Sequence, residues 1–197
     1  MLDNTNRRRS RASLFMPSRH SPRWIVRALL SIIVALLLPP GIAMGRGVYQ
    51  TPESFINATF AGHPPDRSAI WLDRGMKQWL AQKTGQPVRQ LRIPYWLEGQ
   101  RSAWVLEAIG KEEPITLGIV VNDGRIEKIK VLIYRESRGW EVRHEFFTGQ
   151  FIGASLDEAT RLDRPIDGIS GATLSVRAVT QMTETALLLH DHITRKP

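Results

Sequence analysis

The chain has 197 residues, enough for one domain with a sizeable core plus appendages. It holds no cysteine, which excludes disulfides, thiolate nucleophiles, Cys-ligated zinc and Cys-held iron–sulfur clusters and leaves any redox chemistry to a bound cofactor. The net charge of +8 is concentrated at one end: eight of the 27 Lys/Arg and one of the 19 Asp/Glu fall in residues 1–46, so the remainder carries only +1 and no nucleic-acid face is implied.

Seven of those arginines, Arg7 to Arg27, precede an apolar run over residues 28–38 in which Ser31 is the only polar residue. Pro39-Pro40-Gly41 ends it, and Ile42-Ala43-Met44-Gly45 follows. Basic, then apolar, then small is the order of an export signal. Counting Trp24 to Val26 and Ile42 to Met44 stretches the segment toward the ~20 residues a membrane span needs. The arginines keep the N-terminus cytoplasmic and send the rest across. Residues 1–27 are therefore read as a basic cytoplasmic region. Residues 28–45 are read as a signal anchor, in preference to a signal peptide cleaved near Ala43 or Gly45. The globular part is expected at the periplasmic or outer face of a bacterial cytoplasmic membrane. Met16 offers a second start with a more ordinary basic region. Arg7-Arg8-Arg9 lacks the apolar pair of a twin-arginine signal and reads as a positive-inside determinant.

Residues 46–65, with Pro52, Gly62, Pro64 and Pro65 around an apolar patch of Phe55, Ile56 and Phe60, are expected to be a tether. The folded domain is then residues 66–197. Asp66 or Ser68 would cap a helix running to about residue 83, with Leu72, Met76, Trp79 and Lys83 on one face and Gly85 as its stop. Beyond it the period shortens. Strands are expected over residues 103–109, 115–121 and 125–134, the last two joined through Asn122-Asp123-Gly124. Ile129, Val131 and Ile133 alternate with Lys128, Lys130 and Leu132, as in a sheet with one covered face. Residues 143–147 are expected to add a strand and residues 156–162 a short helix. From 174 to 190, Leu174, Ala178, Met182, Ala186 and Leu189 recur at helical spacing, with Arg177, Gln181 and Glu184 off that stripe. The expected class is α+β, an antiparallel sheet packed with helices.

Immediately before that last helix stands Asp167-Gly168-Ile169-Ser170-Gly171-Ala172-Thr173. Gly168 and Gly171 permit φ > 0 and close approach, and Ala172 is too small to shield its neighbours. The segment ends at a helix N-terminus, where free N–H donors and the helix dipole stabilise phosphate. Ser170 and Ser175 are candidate extra donors, and Asp167 a candidate turn cap.

Position by position this segment resembles the Asp-Gly-x-(Ser/Thr)-Gly-Ala-Thr motif of the FMN-binding domain family, whose members include the C subunit of the sodium-pumping NADH:quinone reductase and the G subunit of the Rnf complex. Glu136-Ser137-Arg138-Gly139-Trp140 and Gln150-Phe151-Ile152-Gly153 resemble that family's Glu-Thr-Pro-Gly and Phe-x-Gly stretches, with Ser137-Arg138 in place of Thr-Pro. The resemblance covers roughly residues 71–189. It implies FMN bound covalently, through a phosphoester, to Thr173. It also implies a flavin transferase that uses FAD and magnesium, with Asp167 as a possible recognition residue. Glu136, Gly139 and Trp140 become candidates for contact with the cofactor, Trp140 by stacking on or edging the ring.

The chemistry expected is electron relay between membrane redox proteins, without independent substrate turnover. The rival reading of another class is a membrane-tethered sensor or assembly module that keeps the fold without flavin. A hydrolase elbow is disfavoured, because Ala172 stands where Gly-x-Ser-x-Gly needs its second glycine. His190-Asp191-His192 reads as solvated tail, not a metal pair.

Overall fold

The structure, a computed structural model, describes residues 47–195 apart from Gln86. The basic region, the apolar segment and Arg46 at the head of the expected tether lie outside the described residues. The described part is a six-stranded antiparallel sheet in the order β1-β6-β5-β4-β3-β2, with helices on it, which is the expected α+β class. The strands are β1 (Gly47–Val48), β2 (Ser68–Trp71), β3 (Arg92–Glu98), β4 (Arg101–Ile109), β5 (Pro114–Asn122) and β6 (Arg125–Tyr134). The helices are α1 (Pro52–Thr59), α2 (Arg74–Thr84), the single turn α3 (Glu145–Thr148) and α4 (Thr173–Thr194), with 3-10 turns at Trp140–Arg143 and Gly149–Phe151. Among the described residues no helix is long and apolar enough to cross a membrane.

The β5–β6 hairpin turns on Asp123 (φ 49°) and Gly124 (φ 72°), the left-handed pair that a two-residue loop matching strand twist requires. Residues Ile115, Leu117, Ile119 and Val121 of β5 line the main core with Trp104, Leu106, Val131 and the buried stripe of α4.

The expectation of one covered face is corrected: the opposite face is covered in part too. Phe55, Ile56 and Phe60 form a second cluster with Ala103, Val120 and Leu132, so Leu132 is buried under α1 and not exposed. The tether expected over residues 46–65 is thus largely folded. Its start is written locally: Thr51 accepts the Ser54 N–H as N-cap, Pro52 sits at the first position, and Glu53 lies in the first turn. Arg101 fastens the far end, donating to Thr59 O at 2.8 Å while paired with Glu127 and lying 5.5 Å from the Phe60 ring centre.

Gly118 makes room for this packing, since a Cβ there would lie 2.7 Å from the Phe55 ring. Gly118→Ala is expected to destabilise by about 1–3 kcal/mol through overpacking. A lower urea midpoint and faster proteolysis between residues 50 and 62 would register it.

Three further expectations are corrected. The helix expected from Asp66 or Ser68 begins only at Arg74, with Asp73 accepting the Met76 N–H at 2.7 Å; Ser68–Trp71 is instead a strand paired to β3. Gly85 does stop that helix, at φ 74°. Residues 143–147 form no strand, because the chain coils there to bury Phe147 and Phe151 edge to face at 5.4 Å. Residues 156–162 form no helix. They make a loop closed by one bridge between Leu156 and Leu162, tied by Asp163, whose carboxyl is lowered to about 2 chiefly by its bond from Arg164.

Helix α4 runs one turn beyond expectation and buries two residues expected to face solvent. Glu184 is 4% exposed, its carboxyl raised by burial against the pull of Arg161 at 3.3 Å. His190, expected in a solvated tail, is 2% exposed. The Gly124 N–H donates to its Nε2 at 3.3 Å, so the ring proton belongs on Nδ1, which faces Ser102 Oγ at 2.7 Å. Trp104 Nε1 donates to the same oxygen at 2.8 Å. Ser102 is fully buried and accepts from this imidazole, so the pair is a structural clasp and not a nucleophile with its base.

Burial pushes the His190 imidazole below its usual value, against the pull of Asp191 and Asp123. The unfolded chain therefore takes up the proton first as pH falls. The clasp contributes fully above about pH 6.5 and is lost as pH falls through the lowered folded value. The urea midpoint of the wild type is expected to drop between pH 7.5 and pH 5.5, with His190→Gln flattening that slope.

Candidate functional site

Helix α4 begins at Thr173 without any side-chain cap. Its N-cap is Ala172, whose own N–H donates to Ile169 O at 2.9 Å and whose carbonyl accepts the Val176 N–H at 2.9 Å. The N–H groups of the first turn thus have no carboxylate or hydroxyl acceptor among the described residues. Gly171 adopts φ 80°, the left-handed turn that lets the chain enter the helix. Gly168 does not use that freedom: its φ is not positive, and the space where its Cβ would stand is open. Thr173, Ser170 and Asp167 are exposed, and Ala172 is buried.

Two candidate roles are corrected here. The Ser175 hydroxyl is buried and lies 3.0 Å from Tyr134 Oη, so it faces the core and not an anion outside the helix. Asp167, the candidate turn cap, makes no side-chain hydrogen bond among the described residues; its backbone N–H donates to Gln150 Oε1 at 2.7 Å and holds the approach to the motif.

Gly139 joins the second sequence stretch to the first. It sits at φ 79°, and a Cβ on it would lie 2.9 Å from Tyr134 Oη, 3.1 Å from Ala172 Cβ and 3.2 Å from Ser175 Oγ. Only glycine lets this loop lie so close to the motif. Tyr134 closes the joint by donating to Arg138 O, and burial keeps its hydroxyl protonated by raising its pKa above the usual value.

Trp140, next in the chain, is half-buried and is neither ordinary core nor a free ring. It meets His144 edge-on at 5.1 Å and Arg143 at 5.0 Å. Glu136, a candidate cofactor contact, points elsewhere. Its Oε1 accepts the N–H groups of Lys111, Glu112 and Glu113, and it is 5% exposed. Burial alone would raise this carboxyl, but the three amides outweigh it and hold it below the ordinary value.

The structure therefore brings together Gly139, Ala172, Ser175 and Tyr134, sets Thr173, Gly171 and Ser170 at the surface beside them, and leaves Glu136 out. Tyr134, Tyr49 and Arg143 were not anticipated. The Tyr134 signal was an inward-facing tyrosine ending a strand two residues before a glutamate in the motif; nothing local marked the other two. A cavity of about 250 Å³ lies elsewhere, lined by Thr84, Val88, Leu106, Ile109 and Met182 among others. It is more than two turns along α4 from Thr173, and the exposed motif residues Asp167, Ser170 and Thr173 do not line it. Among the described residues no cluster of His, Asp and Glu could hold a metal.

These residues fit the phosphate end of a flavin nucleotide: an uncapped first turn, an exposed hydroxyl at its head, and a glycine-tight wall behind. An antiparallel α+β domain with this arrangement is of the flavin-binding class. Residues 110–188 match the family model described as the FMN-binding domain, the family whose motif the segment before α4 resembles. The match runs from the β4–β5 turn through most of α4; α1, α2 and β1 to β4 lie before it. No curated protein matches the chain.

Proposed function

We infer that the protein is an exported flavoprotein electron carrier, with FMN joined by a phosphoester to Thr173. The observation that carries this reading is the exposed Thr173 hydroxyl at the first position of a 22-residue helix that has no cap of its own. A phosphodiester there takes the place that a capping side chain would fill, and the helix dipole favours its charge. When attached, FMN supplies the electron chemistry, and the polypeptide holds and orients it.

Gly171 turns the chain into the helix, Ala172 keeps the hydroxyl accessible, and Gly139 with Tyr134 fixes the wall against which the motif rests. A bare threonine hydroxyl does not attack a phosphate unaided, so maturation falls to a flavin transferase using FAD and magnesium. The basic region 1–27 and the apolar segment 28–45 would direct export and, if retained, anchor the domain on the outer face of the cytoplasmic membrane. Donor and acceptor are then other membrane redox proteins, and substrate turnover by this chain alone is not part of the reading.

The test is peptide mass spectrometry of the full chain exported from a strain that has a flavin transferase. FMN mass on the peptide holding Thr173 is expected, with yellow colour that survives denaturation. Colourless protein with that peptide unmodified leaves the flavin-free tethered module as the better account. Recovery with membranes after a high-salt wash tests the anchor separately.

A further inference from the structure

Among the described residues, Arg143 Nε is the only buried side-chain polar atom without a hydrogen-bond partner. The arginine is held by rings instead of by acids. Its guanidinium carbon lies 4.5 Å from the Tyr49 ring centre and 5.0 Å from that of Trp140. Arg101, Arg125, Arg161 and Arg164 each have a carboxylate partner, whereas Arg143 makes no ion pair among the described residues.

The 3-10 turn that carries Arg143 starts directly after Gly139, the residue pressed against Ala172 and Ser175 of the motif. A planar cation between two aromatic faces is positionally fixed, and its fork of N–H donors is not used up by the protein. Such a group matches a flat, acceptor-rich partner that gains negative charge, and the pyrimidine edge of a flavin is one.

We propose that Arg143 is a cofactor-positioning and charge-setting residue that holds the reduced flavin in its anionic form; this rests on the FMN reading above. Reduction by two electrons and one proton leaves the flavin anionic, with the charge spread over N1 and the C2 carbonyl. Reduction by two electrons and two protons leaves it neutral. A fixed guanidinium favours the first product. At an effective dielectric of ~20, a unit charge even about 12 Å away is worth roughly a tenfold shift between the two.

The other ionisable groups around it are few. Tyr134 stays protonated, and Glu136 is committed to the amides of residues 111–113. Arg138, Glu141 and His144 flank Arg143 on its own segment, Tyr49 faces it from beyond β1, and Asp167 and Arg177 belong to the motif side.

The test is a mediated redox titration of the flavin-loaded full chain from pH 5 to pH 8.5, beside free FMN in the same cell. For the wild type, the change from two protons to one per electron pair is expected at least one pH unit below that of free FMN. In Arg143→Gln the break should return toward free FMN. At pH 8 that variant should lose about tenfold in the reduced-to-oxidised ratio at fixed potential, a midpoint lower by about 30 mV. Arg143→Lys, which keeps the charge, should retain most of the effect.

A wild-type break coinciding with that of free FMN overturns the proposal, as does an unchanged midpoint in Arg143→Gln. Should that variant not fold, the wild-type curve decides alone. Protein isolated without flavin defeats the FMN reading itself and the inference with it, whereas bound flavin with an unshifted break defeats only the role of Arg143.

Discussion

Thr173→Ala is expected to remove covalent flavin completely while leaving the fold intact. Alanine is the best helix former, and Thr173 is exposed with no side-chain bond at the helix start, so the stability change should stay within about 0.5 kcal/mol. What disappears is the oxygen through which the proposed phosphoester would form. A helix N-terminus alone contributes about 0.3–1 kcal/mol to holding an anion, far too little to keep FMN through denaturation.

Thr173→Ser keeps an oxygen at the same site and should accept flavin in part. Ser170→Ala, which removes the neighbouring exposed hydroxyl, should leave attachment unchanged. In-gel flavin fluorescence after denaturation, read with the mass of the Thr173 peptide and the urea midpoint, separates these outcomes. Full flavination of Thr173→Ala would place the bond on another residue and remove the central assignment.

Much of this arrangement is legible in the sequence, and the failures share a cause. The β5–β6 hairpin was readable because Asp123-Gly124 between two apolar alternating runs admits few other structures. The start of α4 was readable because a small-residue segment gives way there to a sustained helical period.

What escaped was set by partners distant in sequence. Ser68–Trp71 looks helical in isolation and becomes a strand only because β3 pairs with it. Helix α1 was masked by the prolines and glycine around it, although Thr51-Pro52-Glu53 spells a helix start and Phe55, Ile56 and Phe60 had to be buried somewhere. His190 sits four residues past Ala186 on the very stripe that marked the helix, and only its nearness to the chain end argued for solvent. The motif was found because its residues are contiguous. Glu136 was misassigned because the three amides it serves lie 23 to 25 residues away.

That last misassignment yields the second large effect. In Glu136→Ala the N–H groups of Lys111, Glu112 and Glu113 lose their common acceptor, a buried carboxylate at 2.7 Å from Glu112 N and 3.0 Å from Glu113 N. The turn is shaped around that oxygen: Gly110 stands there because a Cβ would lie 2.9 Å from Glu136 Oε1 and 3.0 Å from Ile115 Cδ1. Bonds to a charged acceptor contribute about 1.5–3 kcal/mol each, and water can recover part at this part-exposed turn, so a loss of about 3 kcal/mol is expected.

The amides depress the carboxyl, so its contribution is whole above the unfolded value near 4.5 and disappears as pH falls through the lowered folded value. The wild-type urea midpoint should therefore fall below pH 4.5 more steeply than that of Glu136→Gln, which keeps one acceptor oxygen and no charge. Flavin on Thr173 should persist in both variants wherever they remain folded. A variant with unchanged stability and an altered flavin spectrum would return Glu136 to the cofactor.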